Sequence, residues 1–414
     1  MKIIRDPVHG YMEVDTDLLP VLDSPPVQRL RHIKQLGFDY LVYPGANHSR
    51  FEHSLGTMHL ARLMCNQLSL DNEDTRLVTA AALLHDVGHG PYSHVLEQVM
   101  REVMGREHDD VRQILESGPI NTVLQSLDID PTEVSQIIAG SHCYAEIIHG
   151  DLDVDRMDYL MRDAHYTGVP YGTVDSHRLI RTTIMCNDRL VLTEAGISAA
   201  ESLLMARTLM RPSVYYHHVS RIATCMFVRA VMEEIGNGTV DCMDIMSMDD
   251  ATLMGMLLAS SDDVVSSLAK RVYSRKLFKR TVYAGPEEVN SEALSADLSL
   301  EKARNLSDMI AEKAGLEPHD VLVDIPEIPG EMSLNVQVKD RRDSIAGIGD
   351  YSPLLKMLNM NRKQQWRLGV YSPGEYSEIV ESAAAEVLNI RKPTKQKHLI
   401  NDEGVGQMDN NRRE

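Results

Sequence analysis

Long apolar runs are missing from this 414-residue chain, and its cysteines are few and scattered. Without a stretch of about 18 apolar residues, no segment reads as a membrane-spanning helix. The opening MKIIRDPVHG has no apolar core of a secretion signal, so a soluble, cytoplasmic protein with no membrane partner is expected. The five cysteines, Cys65, Cys143, Cys186, Cys225 and Cys242, form no C-x-x-C pair. That excludes a disulfide framework and a thiolate zinc site, leaving buried free thiols. Positive charge is also short: 42 Lys and Arg stand against 61 Asp and Glu, a formal net charge of −19. Nucleic acid and acidic membranes are poor main partners for such a surface. An anionic small molecule is not excluded, because a local cluster of arginine, histidine and metal can reverse the sign inside a cleft.

What is present is globular in kind, with 43% hydrophobic and 25% charged residues, and the length suits two or three domains. Apolar residues at helical spacing predict helices over about 27–37, 54–70, 72–87, 94–104, 109–117, 132–139, 155–164, 176–184 and 196–235. The character changes after about residue 236. Helical patterns continue over 249–275 and 301–314. Alternating segments at 321–328, 332–340 and 366–373 read as strands of a smaller α+β lobe spanning 236–390. Residues 391–414 read as a mobile polar tail. The 23 methionines form no compact cluster and read as packing for a helical core.

The sharpest local signal is Leu84-His85-Asp86-Val87-Gly88-His89-Gly90-Pro91, where an apolar helix ends in an imidazole and a carboxylate beside a turn. Such donors suit a divalent ion if two more ligands join them. His53 at a helix start, and the acids of DLDVDRMDY (151–159), are available for that. Histidine and aspartate are also common in turns and caps, so spacing alone leaves a structural reading open.

Five ordered pieces carry more weight: DPVHG (6–10), QRLRHIKQLG (28–37), PGANHSRFEHSLG (44–56), LLHDVGHGPYSH (83–94) and DLDVDRMDYLMRD (151–163). Together they resemble the HD-domain phosphohydrolases, and within that superfamily they are most similar to the deoxynucleoside triphosphate triphosphohydrolases. The resemblance runs through about residues 2–235 and implies a mainly α fold, an all-helical HD core over 1–235 followed by the α+β lobe. It implies metal ligation by His53, His85, Asp86 and Asp155, with manganese, iron, magnesium, zinc or nickel all compatible. His94 and His108 are implied at the scissile phosphate, with Glu97 and Asp109 beside them. Arg50, His89 and Arg156 are implied as phosphate contacts, Gln35, Tyr159, Asp163 and Tyr215 as sugar contacts, and Leu36 near the base.

The resemblance also implies a homo-oligomer, dimer or tetramer, with a nucleotide effector read by Asp23, Gln28 and Arg31. This chain departs from the family pattern at several of these places. Asp109 replaces a common glutamate, Glu97 a common aspartate and Arg156 a common lysine. Thr193 and Ala195 stand where a basic residue is expected, and Arg5 where asparagine is. The function implied is metal-dependent hydrolysis of deoxynucleoside triphosphates to nucleoside and tripolyphosphate. The competing readings are a phosphatase or phosphodiesterase for other nucleotides, and a nucleotide-binding regulator without catalysis.

Overall fold

The computed structural model describes residues 1–187, 189–289, 299–327, 336–354, 357–358 and 365–390. The chain opens with an antiparallel hairpin, β1 (Lys2–Asp6) and β2 (Gly10–Val14), turned by DPVHG. In that turn the Asp6 carboxylate accepts the amides of Val8 and His9. Short helices α1 (Leu19–Leu22) and α2 (Pro25–Arg29) lead to α3 (Arg50–Leu68) and α4 (Asn72–Leu84). Then come α5 (Glu97–Met104), α6 (Arg112–Leu115), α7 (Gly118–Ser126), α8 (Pro131–Ile138), α9 (Val154–Thr167) and α10 (Ser176–Thr182).

A second hairpin, β3 (Thr183–Cys186) and β4 (Arg189–Thr193), precedes α11 (Ile197–Met210), a π-turn over Arg211–Tyr215 and α12 (His218–Gly236). Helices α13 (Cys242–Ser247), α14 (Asp250–Leu258) and α15 (Asp263–Tyr273) follow. Beyond them are β5 (Lys279–Ala284), α16 (Leu300–Ala314), β6 (Leu322–Asp324), β7 (Gln337–Lys339), β8 (Ile345–Gly347), α17 (Ile348–Tyr351), β9 (Leu368–Ser372) and α18 (Ser377–Val387).

Two units result. Of the described residues, the first holds those up to 278 and takes back those between 336 and 358; the second holds those between 279 and 327 and between 365 and 390. In the first, α3 and α4 lie side by side because α4 is Ala-rich where they meet: Ala80, Ala81 and Ala82 are fully buried with Leu83 and Leu84. Burying each such leucine contributes roughly 1.5–3 kcal/mol. The returning segment adds β7 parallel to β4, giving a sheet in the order β3-β4-β7-β8. In the second unit β9 is the central strand between β5 and β6, both antiparallel to it, and all five of its residues are buried.

Several expectations are corrected. The helix expected over 27–37 stops at α2 and a 3-10 turn ending at His32. Residues 33–35 are instead extended: Gln35 N–H donates to the His48 carbonyl and Arg50 N–H to that of Ile33. The helix over 196–235 is interrupted at 211–217, where Pro212 lacks an amide hydrogen and the π-turn takes over. The change of character placed near 236 falls between α12 and α13, inside the first unit, because α13–α15 pack back onto its helices. The first hairpin, β4 and α7 lie where no element was expected, and β3 begins within the span expected as a helix over 176–184. The first part of the strand expected over 332–340 and the tail from 391 lie outside the described residues.

Candidate active site

Helix α3 begins at Arg50, and the Glu52 carboxylate accepts both the amide and the hydroxyl of Ser49 just before it. This fixes the first turn, which carries Arg50 and His53 inward. The His53 ring is tied at Nδ1 to Asp158 Oδ2 (2.7 Å), leaving Nε2 to point at the end of α4. There His85 donates from Nδ1 to the Ala82 carbonyl (2.8 Å) and presents its own Nε2 3.3 Å from that of His53.

The Asp86 carboxylate lies 3.4 Å from His85 Nε2 and 3.8 Å from His53 Nε2. Asp155, in the first turn of α9, brings Oδ1 to 2.8 Å from His53 Nε2 and 3.5 Å from His85 Nε2. Two imidazoles whose outer nitrogens are already bonded, with two carboxylates at their inner nitrogens, form a donor set that fits a divalent cation. His53, His85 and Asp86 are all buried and grouped closely enough to hold one.

The electrostatics follow from this crowding. Burial would lower the His53 pKa, but its bonds to Asp155 and Asp158 prevail and raise it to about 10. Burial raises Asp86 and Asp155, yet the surrounding cations win. Arg50, His85 and His89 hold Asp86 well below the usual carboxylate range, and His53 and His85 do the same for Asp155. The carboxylates of the cluster are thus held toward their charged form by the arginine and histidines around them.

Behind His53 lies a buried ionic chain that sequence reasoning missed. Asp158, fully buried, also accepts from His9 (2.6 Å) and from Arg162, whose guanidinium reaches on to Asp6 at 2.8 Å. Gly56 packs against it; a Cβ there would fall inside contact distance of Asp158 Oδ1 and the Arg162 guanidinium. The DPVHG piece supplies Asp6 and His9. Its signal was visible as a motif but could not be given a role without the pairing.

Beside this His/Asp cluster sits a second histidine group. His94 Nδ1 and His108 Nδ1 each lie 2.8 Å from Glu97 Oε1, and the His89 ring stacks on His108 at 4.1 Å. His89 Nε2 reaches Asp86 Oδ1 at 3.3 Å, joining the two clusters. Burial opposes a charged Glu97, but His94 and His108 outweigh it and hold its pKa well down; Glu97 in turn raises that of His108. The turn bearing His89 and His94 is tight: Tyr92 and Ser93 both take positive φ, 57° and 58°, a conformation costing roughly 1–2 kcal/mol per non-glycine residue. A Cβ at Gly88 would collide with the His108 carbonyl, so this glycine lets the histidine loops approach. Among the described residues no hydrogen bond or ion pair joins the Asp109 carboxylate to the group.

Arg50 is buried, donating from Nε to Ser93 Oγ (2.6 Å) and from Nη1 to Asp86 (2.7 Å), while its Nη2 has no partner among the described residues. Arg156 bonds the Gly150 carbonyl and faces Asp153 and Asp151 at 3.6 and 3.9 Å, so its charge is met at the start of its own helix. Sequence reasoning also missed Arg207 on α11. It lies half-buried near Arg156 and Tyr159 and makes no ion pair among the described residues; burial, reinforced by Arg156, lowers its pKa. Nothing in its sequence neighbourhood marks it.

On the far side, Tyr159 and Tyr215 stand with ring centres 6.1 Å apart. Tyr215 donates to Asp163 Oδ2 (2.8 Å), whose other oxygen meets His48 Nε2 (2.8 Å). Gln35 is buried with Oε1 unpartnered among the described residues, and Leu36 packs partly buried against the core. The π-turn sets Tyr215 at the end of α11. Away from these groups, Gln28 accepts from Arg31 Nε (2.8 Å) and Arg31 lies 3.5 Å over the Phe51 ring, while Asp23 is exposed.

Residues 50–163 match the family model of the HD domain, and 174–399 that of the HD associated region. An uncharacterised protein of Methanocaldococcus jannaschii is 34% identical over 401 residues, covering 94% of this chain and 83% of its own. The Gallus gallus deoxynucleoside triphosphate triphosphohydrolase SAMHD1 is 25% identical, covering 92% and 71%. Among solved structures, a phosphohydrolase from Bacteroides thetaiotaomicron superposes with a TM-score of 0.69 at 27% identity, covering 90% of this chain and 99% of its own. Among the described residues no helix is long and apolar enough to cross a membrane.

Proposed function

We propose that this chain, which belongs to the HD-domain phosphohydrolase superfamily, hydrolyses deoxynucleoside triphosphates to deoxynucleoside and tripolyphosphate. One observation carries the reading: the four-ligand cluster of His53, His85, Asp86 and Asp155 adjoins the His94–Glu97–His108 group through His89. A divalent ion held by the four ligands (manganese, iron, magnesium, zinc or nickel) supplies a Lewis acid for a phosphoryl oxygen.

The protein's own groups do the rest. Arg50 offers Nη2, and Arg207 its guanidinium, neither of them partnered among the described residues, to the negative charge of a phosphate chain. His94 has Nδ1 against Glu97 and the rest of its ring half-open, so Nε2 is free to move a proton at the phosphorus being attacked. His108 shares the same Glu97 oxygen, so one carboxylate holds both imidazoles in place. Tyr159, Tyr215, Asp163 and Gln35 form the sugar wall, with Leu36 toward the base. Arg156, already met by acids, contributes less to phosphate binding than the resemblance implied.

The relative named as a deoxynucleoside triphosphate triphosphohydrolase supports the substrate class. A homo-oligomer, with Asp23, Gln28 and Arg31 at a nucleotide effector site, belongs to the same proposal. Indifference of turnover to added GTP and dGTP would remove the effector.

The deciding experiment incubates the purified chain with each deoxynucleoside triphosphate and Mn²⁺ and identifies products by chromatography. Tripolyphosphate is expected; orthophosphate or a nucleoside monophosphate would move the assignment to a phosphatase or phosphodiesterase. Asp155→Ala should lose bound metal and activity together. His94→Ala should keep its metal and lose roughly 10²–10⁴-fold in turnover.

A further inference from the structure

The turn that carries His89 and His94 is held from outside the histidine group by two residues with no assigned role. Asp250, the first residue of α14, is buried, and its carboxylate accepts the Tyr92 amide at 2.6 Å and the Lys34 amide at 2.9 Å. Tyr92 is the first of the two consecutive left-handed residues, two positions before His94. Lys34 belongs to the extended strand pairing with Ser49, which precedes Arg50, and its carbonyl accepts the Ser93 hydroxyl at 2.5 Å. One carboxylate thus ties the turn that presents His94 to the segment that presents Gln35, and that segment is itself bridged to the residue before Arg50.

Arg29, at the end of α2, completes the attachment. Its guanidinium donates to the carbonyls of Met246 and Ser247 at the end of α13, of Met248 in the connector before α14, and of His89 at 3.0 Å. Gly90 lies against Met246, and a Cβ there would meet the Met246 thioether. All these bonds go to backbone atoms, so they fix the path of the turn and touch no reacting group.

We propose that Asp250 and Arg29 are positioning residues: they clamp the α13–α14 segment to the 89–94 turn and hold His94 in register with the metal cluster. The clamp rests on the reading of His94 as the proton-transferring group. A carboxylate is suited to the task because it accepts two amides at once, whereas asparagine would turn an NH₂ toward one of them.

The test compares Asp250→Asn with wild type by amide hydrogen exchange, metal analysis and steady-state hydrolysis of a deoxynucleoside triphosphate. Exchange at the Tyr92 and Lys34 amides is expected to speed up. Bound metal should stay the same, kcat should fall about tenfold or more, and KM should hold within about twofold, since ångström-scale misplacement costs up to about 10²-fold. Asp249→Ala is the control. It removes the α14 cap on Thr252 (2.8 Å) without touching the turn, and should leave kcat intact.

Unchanged exchange at the two amides overturns the clamp. So does an undiminished kcat despite faster exchange, or an equal loss of kcat in Asp249→Ala. If wild type cleaves no nucleotide, the substrate reading fails and the exchange result alone decides the clamp. If Asp250→Asn does not fold, Arg29→Lys, which loses the forked contacts, carries the same kinetic expectation and the same overturning result.

Discussion

Asp158 does more for this site than its position in the chain suggests. Its two oxygens meet His53, His9 and Arg162, all buried, so the ring that faces the metal position is oriented by an ion-paired network. Gly56 makes that approach possible. Gly56→Ala should displace the pair and destabilise the protein by about 1–3 kcal/mol or more. Denaturant unfolding reads the loss, and metal analysis should show weaker loading, because the His53 ring loses its anchor. A second residue-scale expectation concerns Asp39, whose pKa burial and the nearby Asp163 carboxylate push up to about 7. Between about pH 4 and 7 the unfolded chain gives up this proton while the folded one keeps it, so this group makes stability fall as pH rises through that window. Asp39→Asn should flatten that part of the stability profile, measured as unfolding midpoints at pH 4.5 and 7.5. An equal fall in both proteins would refute the assignment.

At the scale of elements, three helix ends and one turn make the centre. The first turn of α3 gives Arg50 and His53, the end of α4 gives His85 and Asp86, and the first turn of α9 gives Asp155. Asp153 caps α9, accepting the amides of Arg156 and Gly150 at 2.7 and 2.9 Å. Replacing it by alanine should cost about 1–2 kcal/mol through the lost cap, and free Arg156 from one of its acids. Thermal unfolding reads the first effect. Weaker metal retention by the same variant is also expected, since Asp155 lies two residues on; full retention would show that α9 holds its start without the cap. Much of this level was legible. LLHDVGHGPYSH and DLDVDRMDY announce helix ends by placing polar ligands where apolar periodicity stops. The extended segment 33–35 was not, because QRLRHIKQLG has helical spacing and is drawn out by pairing with residues 48–50, a partner remote from any local pattern.

For the molecule as a whole, the first unit is not a contiguous stretch of chain. Val336, Val338 and Ile348 are buried in its core although they follow the second unit's first strands. A chain ended at Phe278 should therefore lose about 4 kcal/mol or more of apolar burial and expose β4 as an edge. A melting temperature lower by about 10 °C is expected, with aggregation visible on size exclusion. A truncated form as stable as the full chain would contradict the assignment of 336–354 to this core.

By itself the sequence determined that metal-ligand residue types sit at helix ends along a chain of amphipathic helices, because ligand identity and helix periodicity are local properties. It also carried, in its ordered motifs, the membership in the HD-domain superfamily. Only the tertiary structure decided which charges are spent on one another. Arg156 is met by acids at its own helix start, Arg207 and one nitrogen of Arg50 have no partner among the described residues, Glu97 and not Asp109 bridges the histidines, and Asp250 reaches a turn 158 residues away. Those pairings depend on distances between segments far apart in the chain, and burial makes each of them strong enough to matter.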